Sequence, residues 1–152
     1  MSGKLLGRKE LEQHIIEFMG SQGMCVLATC GAGEPRASAV EFFPAGTTIY
    51  ILTEGGRKIE NIVRNPRVSV AIHTQFTGWD SSKGIQITGT AEIGEAGSAI
   101  FADGEKAYVR RQGQEAKLPA MMKVVKIKPL RIEMLDLTLK ARGYDVRQVL
   151  EY

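Results

Sequence analysis

The sequence predicts a mainly β protein with peripheral helices, built as a six-stranded antiparallel barrel, and three observations carry that expectation. Segments such as "RVSVAIH" and "GIQITGTAEI" alternate apolar and polar residues with a period of two, the signature of a half-buried strand. Glycine and proline turns such as "GAGEPR" separate the strands. Helical periodicity is confined to a few junctions between them. Six strands with short turns and a helix at two or three junctions suggest a small antiparallel barrel. No repeat of solenoid length recurs.

Along the chain, Leu11, Ile15, Phe18 and Met19 fall on one stripe between polar residues, so residues 8–22 form an amphipathic helix ending near Gly20 to Gly23. "MCVLATC" is a buried strand. "ASAVEFF" and "TTIYILT" supply two more, joined at Pro44 to Gly46, and the first three strands are expected to form a meander. A helix opens at Arg57 with Ile59, Ile62 and Val63 on one stripe and stops at Asn65-Pro66, because a residue before proline resists helical geometry.

In "GIQITGTAEI", Ile85, Ile87, Gly89, Ala91 and Ile93 share a side, and Gly89 marks a bulge or a close backbone approach. Residues 95–113 read as a helix pair, or one helix interrupted near Asp103-Gly104. The last long strand, "MKVVKIKPLRIEMLDL", changes phase at Pro129, which predicts a bend or bulge. The tail, 143–152, reads as a short helix with Val146, Val149 and Leu150 on one side.

The bulk properties exclude several classes. A chain of 152 residues fits one domain, 1–152, and buries roughly 70% of its unfolded surface. With 43% hydrophobic and 24% charged residues it has an ordinary globular composition. Its apolar runs are too short to span a bilayer, and "MSGKLLGRKELEQ" lacks the apolar core of a secretory signal, so no membrane and a cytoplasmic location are expected. Twenty basic residues scattered among 17 acidic ones, for a net +3, argue against a nucleic-acid surface. Cys25 and Cys30 point to opposite faces of one strand, which disfavours a disulfide or a metal pair. His14 and His73, the two histidines, read as structural.

One stretch carries chemistry. In "TEGGRKIENIVRNPR", residues 53–67, a strand ends in two glycines and a helix opens with two cations. The glycines free backbone amides to point at a ligand, and the first helical turn leaves its donors unpaired at the positive end of the macrodipole. Arg57 offers a planar fork and Lys58 a mobile point charge for phosphate oxygens. The plain alternative is a solvated turn. It is weakened because cations at a helix N-terminus cost about 0.3–1 kcal/mol each when nothing compensates. Adjacent helical residues diverge by about 100°, so both need not face one ligand. Spacing alone leaves the two readings level.

The order of segments resembles the pyridoxamine 5′-phosphate oxidase-like, FMN-binding split-barrel family. It is carried by "VLAT", "GEPRASAVEFF", "IYILTEGGRK", "IENIVRNPRVSVAI", "GIQITGTAEI" and "VVKIKPLRIEML", with "RK…N…NPRVS" the most specific part. The resemblance covers a core at 8–137 and leaves the tail, 138–152, outside. It implies FMN held at a homodimer interface, each subunit offering one wall. Arg57 and Lys58 match the pair that grips the FMN phosphate. Thr53 falls close to the family's strand-end threonine, one residue nearer Lys58 than usual. Gly56 stands where a serine is common, which leaves only its amide as donor. Ser38, Ala39, Val40 and Glu41 match the strand whose backbone borders the isoalloxazine edge. Either Gln86 or Gly84 matches a cofactor-side glutamine.

Ser38 and Phe43 replace an arginine and a lysine of the true oxidases, and the C-terminal arginine-and-histidine substrate motif has no match. Vitamin B6 oxidation is therefore not expected. The resemblance implies an oxidoreductase of unknown substrate, or else a non-catalytic FMN-binding or redox-sensing module. A deazaflavin- or haem-handling relative is a further alternative, and haem could use only His14 or His73 as axial ligand. Trp79, Tyr108, Arg110 and Arg111 are candidates for the substrate side, each with a surface or interface role as its alternative. Apolar residues on both faces of "AVEFF" and "VVKIKPLRIEML" add to the dimer expectation.

Overall fold

The computed structural model describes residues 3–113, 115 and 117–152. Helix α1 (Arg8–Gly20) precedes strands β1 (Met24–Cys30), β2 (Pro35–Glu41), β3 (Phe43–Ala45) and β4 (Thr48–Thr53). Then follow α2 (Arg57–Arg64), β5 (Arg67–His73), β6 (Lys83–Gly94), α3 (Ala99–Gln112), β7 (Lys123–Asp136) and β8 (Arg147–Glu151). Short 3₁₀ helices occupy Trp79–Ser81 and Leu137–Arg142. The strands form one antiparallel sheet in the order β2-β1-β5-β6-β7-β4-β3, and β8 adds to β7. This is the split barrel the sequence predicts, with eight strands in place of six.

One extra strand comes from Phe42. The segment read as a single strand breaks there, with β2 pairing β1 and β3 pairing β4. The expected meander is therefore wrong, since the other partner of β4 is β7 rather than β2. The Phe42 ring is fully buried, and its amide donates to Gly23 O at 3.1 Å, outside either ladder. The two ends of the sheet are thus consecutive in the chain, and the sheet curls until they meet at this pivot.

The other extra strand is the tail, which is not a helix. Gln148 and Leu150 are each 2% exposed while Arg147, Val149 and Glu151 face out, so the working period is two. Buried Gln148 is satisfied, its Oε1 accepting from Leu6 N at 3.1 Å and its Nε2 donating to Asp145 O at 2.8 Å.

Inside the curl lies the main core. The α1 stripe of Leu11, Ile15, Phe18 and Met19 enters it with Ile59 and Ile62 of α2, whereas Val63 is 72% exposed and leaves the expected stripe. The phase change in β7 is a bulge: Thr88 pairs Arg131 and Gly89 pairs Pro129, skipping Leu130. A Cβ on Gly89 would lie 2.8 Å from both Ile127 Cγ2 and Lys128 O, so close approach also requires glycine there.

Outside the sheet, α3 packs over β3, β4 and the first half of β7, making a second cluster of Phe43, Tyr50, Phe101, Ala107 and Val124. It runs unbroken through Asp103-Gly104, against the expected interruption. Gly104 is there for proximity, because its Cβ would sit 2.5 Å from Val124 Cγ1. Ser98 caps the helix by accepting from Phe101 N at 3.1 Å, and Gly113 closes it in the left-handed region at φ 70°. Among the described residues, no helix is long and apolar enough to cross a membrane.

Candidate functional site

The turn from β4 to α2 is built from a threonine and two glycines. Thr53, 7% exposed, uses its hydroxyl twice, donating to Gly55 O at 3.1 Å and accepting from Gly55 N at 3.2 Å. Gly55 and Gly56 adopt φ of 135° and 97°, backbone that a side chain would strain. A Cβ on either would meet nothing within 4 Å, so the space above the turn is open. Gly56 caps α2 with no side-chain acceptor. The helix ladder begins where Ile59 N and Glu60 N donate to Gly56 O, at 3.1 and 3.3 Å, leaving the amides of Arg57 and Lys58 ahead of it.

The two asparagines of "RK…N…NPRVS", to which the sequence assigned no contact, hold this helix in place. Asn61 Nδ2 donates to Thr29 Oγ1 and Asn65 Nδ2 donates to Cys30 O, both at 3.0 Å, stapling α2 to the end of β1. Gly31 lets the helix come close, since its Cβ would lie 2.6 Å from Asn61 Cα. Asn61 reaches β1 from the last turn of α2 and Asn65 from the extended residue that ends it.

Arg57 is exposed and Lys58 half-buried, and among the described residues neither is paired with a carboxylate. Arg57 lines a 230 Å³ groove with Arg36, Arg64, Glu34 and Glu60, and Lys58 is not part of that lining. The groove brings in Arg36, which composition alone could not single out.

Of the β2 residues, Ala39 and Glu41 are exposed while Ser38 and Val40 are half-buried, Val40 packing on the core. β2 is an end strand of the sheet, so alternate residues turn their backbone groups away from β1. Gly84 and Gln86 lie elsewhere, in a 360 Å³ hollow on the outer face of β5 to β8. Within one chain, the turn and this hollow share no lining residue.

The remaining candidates separate clearly. Arg111 is a structural clamp: its guanidinium donates to the carbonyls of Phe42, Met19, Gly20 and Gln22 and lies 4.8 Å from the Phe42 ring centroid. Tyr108 packs edge-on against Phe43 at 5.2 Å between centroids. Trp79, 77% exposed, meets only Phe76 among the aromatic rings described, at 5.5 Å. Arg110 lines a separate surface depression with Glu105 and Lys106.

His14 Nε2 meets Asp136 Oδ2 at 2.7 Å, and His73 Nδ1 meets Thr74 O at 2.7 Å. Burial alone would raise the Asp136 carboxyl, but hydrogen bonds from Thr138 and His14, with Lys83 nearby, outweigh it and hold the group below the usual carboxylate value. Burial pushes the Cys25 thiol up to about 12, which leaves it inert. Among the described residues no cluster of His, Cys, Asp or Glu could hold a metal ion.

A curled antiparallel sheet with an open, cation-flanked glycine turn at one helix start defines a split-barrel protein. A family model described as pyridoxamine 5′-phosphate oxidase matches residues 11–136, and the chain belongs to that family. β8 lies beyond the match.

Among solved structures, a putative pyridoxamine 5′-phosphate oxidase from Listeria innocua is 28% identical, with a TM-score of 0.65, covering 82% of this chain and 98% of that one. A heme-binding protein from Mycobacterium smegmatis is 18% identical at TM-score 0.72, covering 96% of this chain and 60% of that one. An FAD-binding protein from Mesorhizobium loti is 20% identical at TM-score 0.62, covering 82% and 90%. These last two likenesses show the fold alone. No curated protein matches the sequence.

Proposed function

We propose that this protein is an FMN-binding flavoprotein, acting as a homodimer and serving as an oxidoreductase. The observation that carries this is the open turn at Gly55-Gly56, whose uncapped amides and unpaired Arg57 and Lys58 fit a phosphate. Arg57 takes phosphate oxygens through its fork, Lys58 adds charge, and the first-turn amides of α2 donate. Thr53 fixes the turn so that these donors are in place before the ligand arrives. The free edge of β2 from Ser38 to Glu41 borders the ring system. The Gly84 to Gln86 stretch offers the second wall from the other subunit, which accounts for its separation from the turn within one chain. When bound, FMN supplies hydride or electron transfer, chemistry that the protein's own side chains then need only orient and support.

Family membership and the FAD-binding relative support a flavin. The heme-binding relative raises a second reading. In this chain that reading would rest on His14 or His73, each with one ring nitrogen engaged, by Asp136 and by Thr74 O, and the other left to act as a ligand. An absorption spectrum of freshly purified protein, with the released chromophore identified by mass, separates the two. FMN is the expected chromophore; haem, or colourless protein that takes up no FMN, would overturn the proposal.

A further inference from the structure

The hollow on the outer face has a construction of its own. Register places His73, Gly84, Leu135 and Arg147 in one row across β5, β6, β7 and β8, and Ala71, Gln86, Glu133 and Val149 in the next. Residues paired across an antiparallel ladder share a face, so these side chains surround a single surface. Gly84 makes the depression by having no side chain. A Cβ there would meet Ile72 O at 3.4 Å, an ordinary contact, so packing does not demand glycine. Ala71, Leu135 and Val149 give the floor an apolar, low relief, and at 360 Å³ it falls within the range of small-molecule sites.

Charge decides what fits. Glu133 and Glu151 are both met by Arg131, at 3.4 and 3.8 Å. Among the described residues the Arg147 guanidinium has no carboxylate partner, and the Gln86 amide group makes no hydrogen bond. His73 has committed Nδ1 to Thr74 O, leaving Nε2. A flat apolar floor with a free guanidinium, a free amide and one imidazole nitrogen at its rim matches a planar ring that bears a carboxylate. A single guanidinium fork pairs with the two oxygens of one carboxylate. A dianionic phosphate is better served by the turn at Gly55 to Lys58.

We propose that this hollow, bordered on its Gly84 to Gln86 side by the flavin that the other subunit holds, is the substrate subsite, taking a small planar carboxylate with Arg147 of β8 as the residue that selects it. As a substrate subsite it rests on the flavin reading above; as a binding site it does not. β8 lies outside the residues the family model matches, so this specificity belongs to the part of the chain that the family pattern does not describe.

The test is titration of the full chain, both free and loaded with FMN, with nicotinate and with its uncharged amide, nicotinamide, followed by amide NMR. Nicotinate is expected to shift the Gly84 and Gln86 resonances. Arg147→Ala and Arg147→Gln should weaken it roughly ten-fold or more and leave the affinity for nicotinamide unchanged. The Arg147 side chain is exposed, and the hydrogen bond its backbone N–H donates to Asp145 Oδ1 at 2.9 Å survives both substitutions, so the fold should be retained, as thermal melting will show. Equal affinity for the two probes, an unaffected Arg147 variant, or shifts confined to other faces would overturn the proposal. Nicotinate shifts at Gly84 in protein that never takes up FMN would sink the flavin reading and keep the site. FMN binding without those shifts would do the reverse.

Discussion

The outer face of the sheet is treated in two ways along the length of β7. Near Val124, α3 lies against it so closely that Gly104 and Gly94 are the only residues that fit, their Cβ positions falling 2.5 Å from Val124 Cγ1 and 2.6 Å from Ile100 Cβ. Past the bulge at Pro129 the same face carries Ala71, Gln86, Leu135 and Val149 with no helix above them, and Val149 is 46% exposed. A sheet face meant for water alternates inward apolar with outward charged side chains. Here the outward positions mix an apolar floor of Ala71, Gly84, Leu135 and Val149 with a polar rim of His73, Gln86, Glu133 and Arg147, an arrangement that suits a ligand or a second subunit. The covered half is finished by its own chain, and the bare half is left for something else to finish.

That contrast can be broken at its strongest point first. The bare half is held from beneath, where buried Asp136 ties the end of β7 to α1 and to the chain after it. Its Oδ1 accepts from Thr138 N at 2.9 Å and Thr138 Oγ1 at 2.6 Å, and its Oδ2 faces His14 and, at 3.9 Å, Lys83. Asp136→Asn should cost about 3 kcal/mol near neutral pH by urea unfolding. The carboxyl is held below its ordinary value, so its contribution is complete above an unfolded pKa of about 3.9 and fades as pH falls through the lower folded value. The gap between wild type and variant should therefore narrow in acid. A gap independent of pH would mean that shape, not charge, does the holding.

A smaller effect compares one glycine from each half. Gly104→Ala gains about 1 kcal/mol of helix propensity but meets a clash costing about 1–3 kcal/mol, so thermal melting should show a net loss of up to about 2 kcal/mol. Gly84→Ala, with ordinary clearance, should stay within about 0.5 kcal/mol. Equal losses would erase the distinction between the two halves.

Much of the architecture was legible because period-two alternation reports burial directly. The Pro129 bulge could be seen in the phase of Val125 and Ile127 against Ile132 and Met134. What failed was set by tertiary partners. Phe42 divides a continuous apolar run because its ring goes inward and its amide turns to Gly23, which no local pattern announces. Gly104 looks like a helix breaker until Val124 is placed beneath it. The tail reads as a helical stripe because its inward strand residue beside Leu150 is the polar Gln148, and pairing with the edge of β7 makes it a strand. At the site, the Gly-Gly turn and its cations were readable from their chemistry, while Arg36, Asn61 and the β8 rim needed the folded chain to bring them near.

Comparing FMN with riboflavin tests the central claim most directly, because the two differ only in the phosphate. Calorimetric titration of wild type and of the Arg57→Ala/Lys58→Ala double variant should show FMN affinity falling ten-fold or far more in the variant, while riboflavin affinity changes little. If both ligands weaken equally, or neither does, then no phosphate sits at the turn between β4 and α2, and the assignment of this site is wrong.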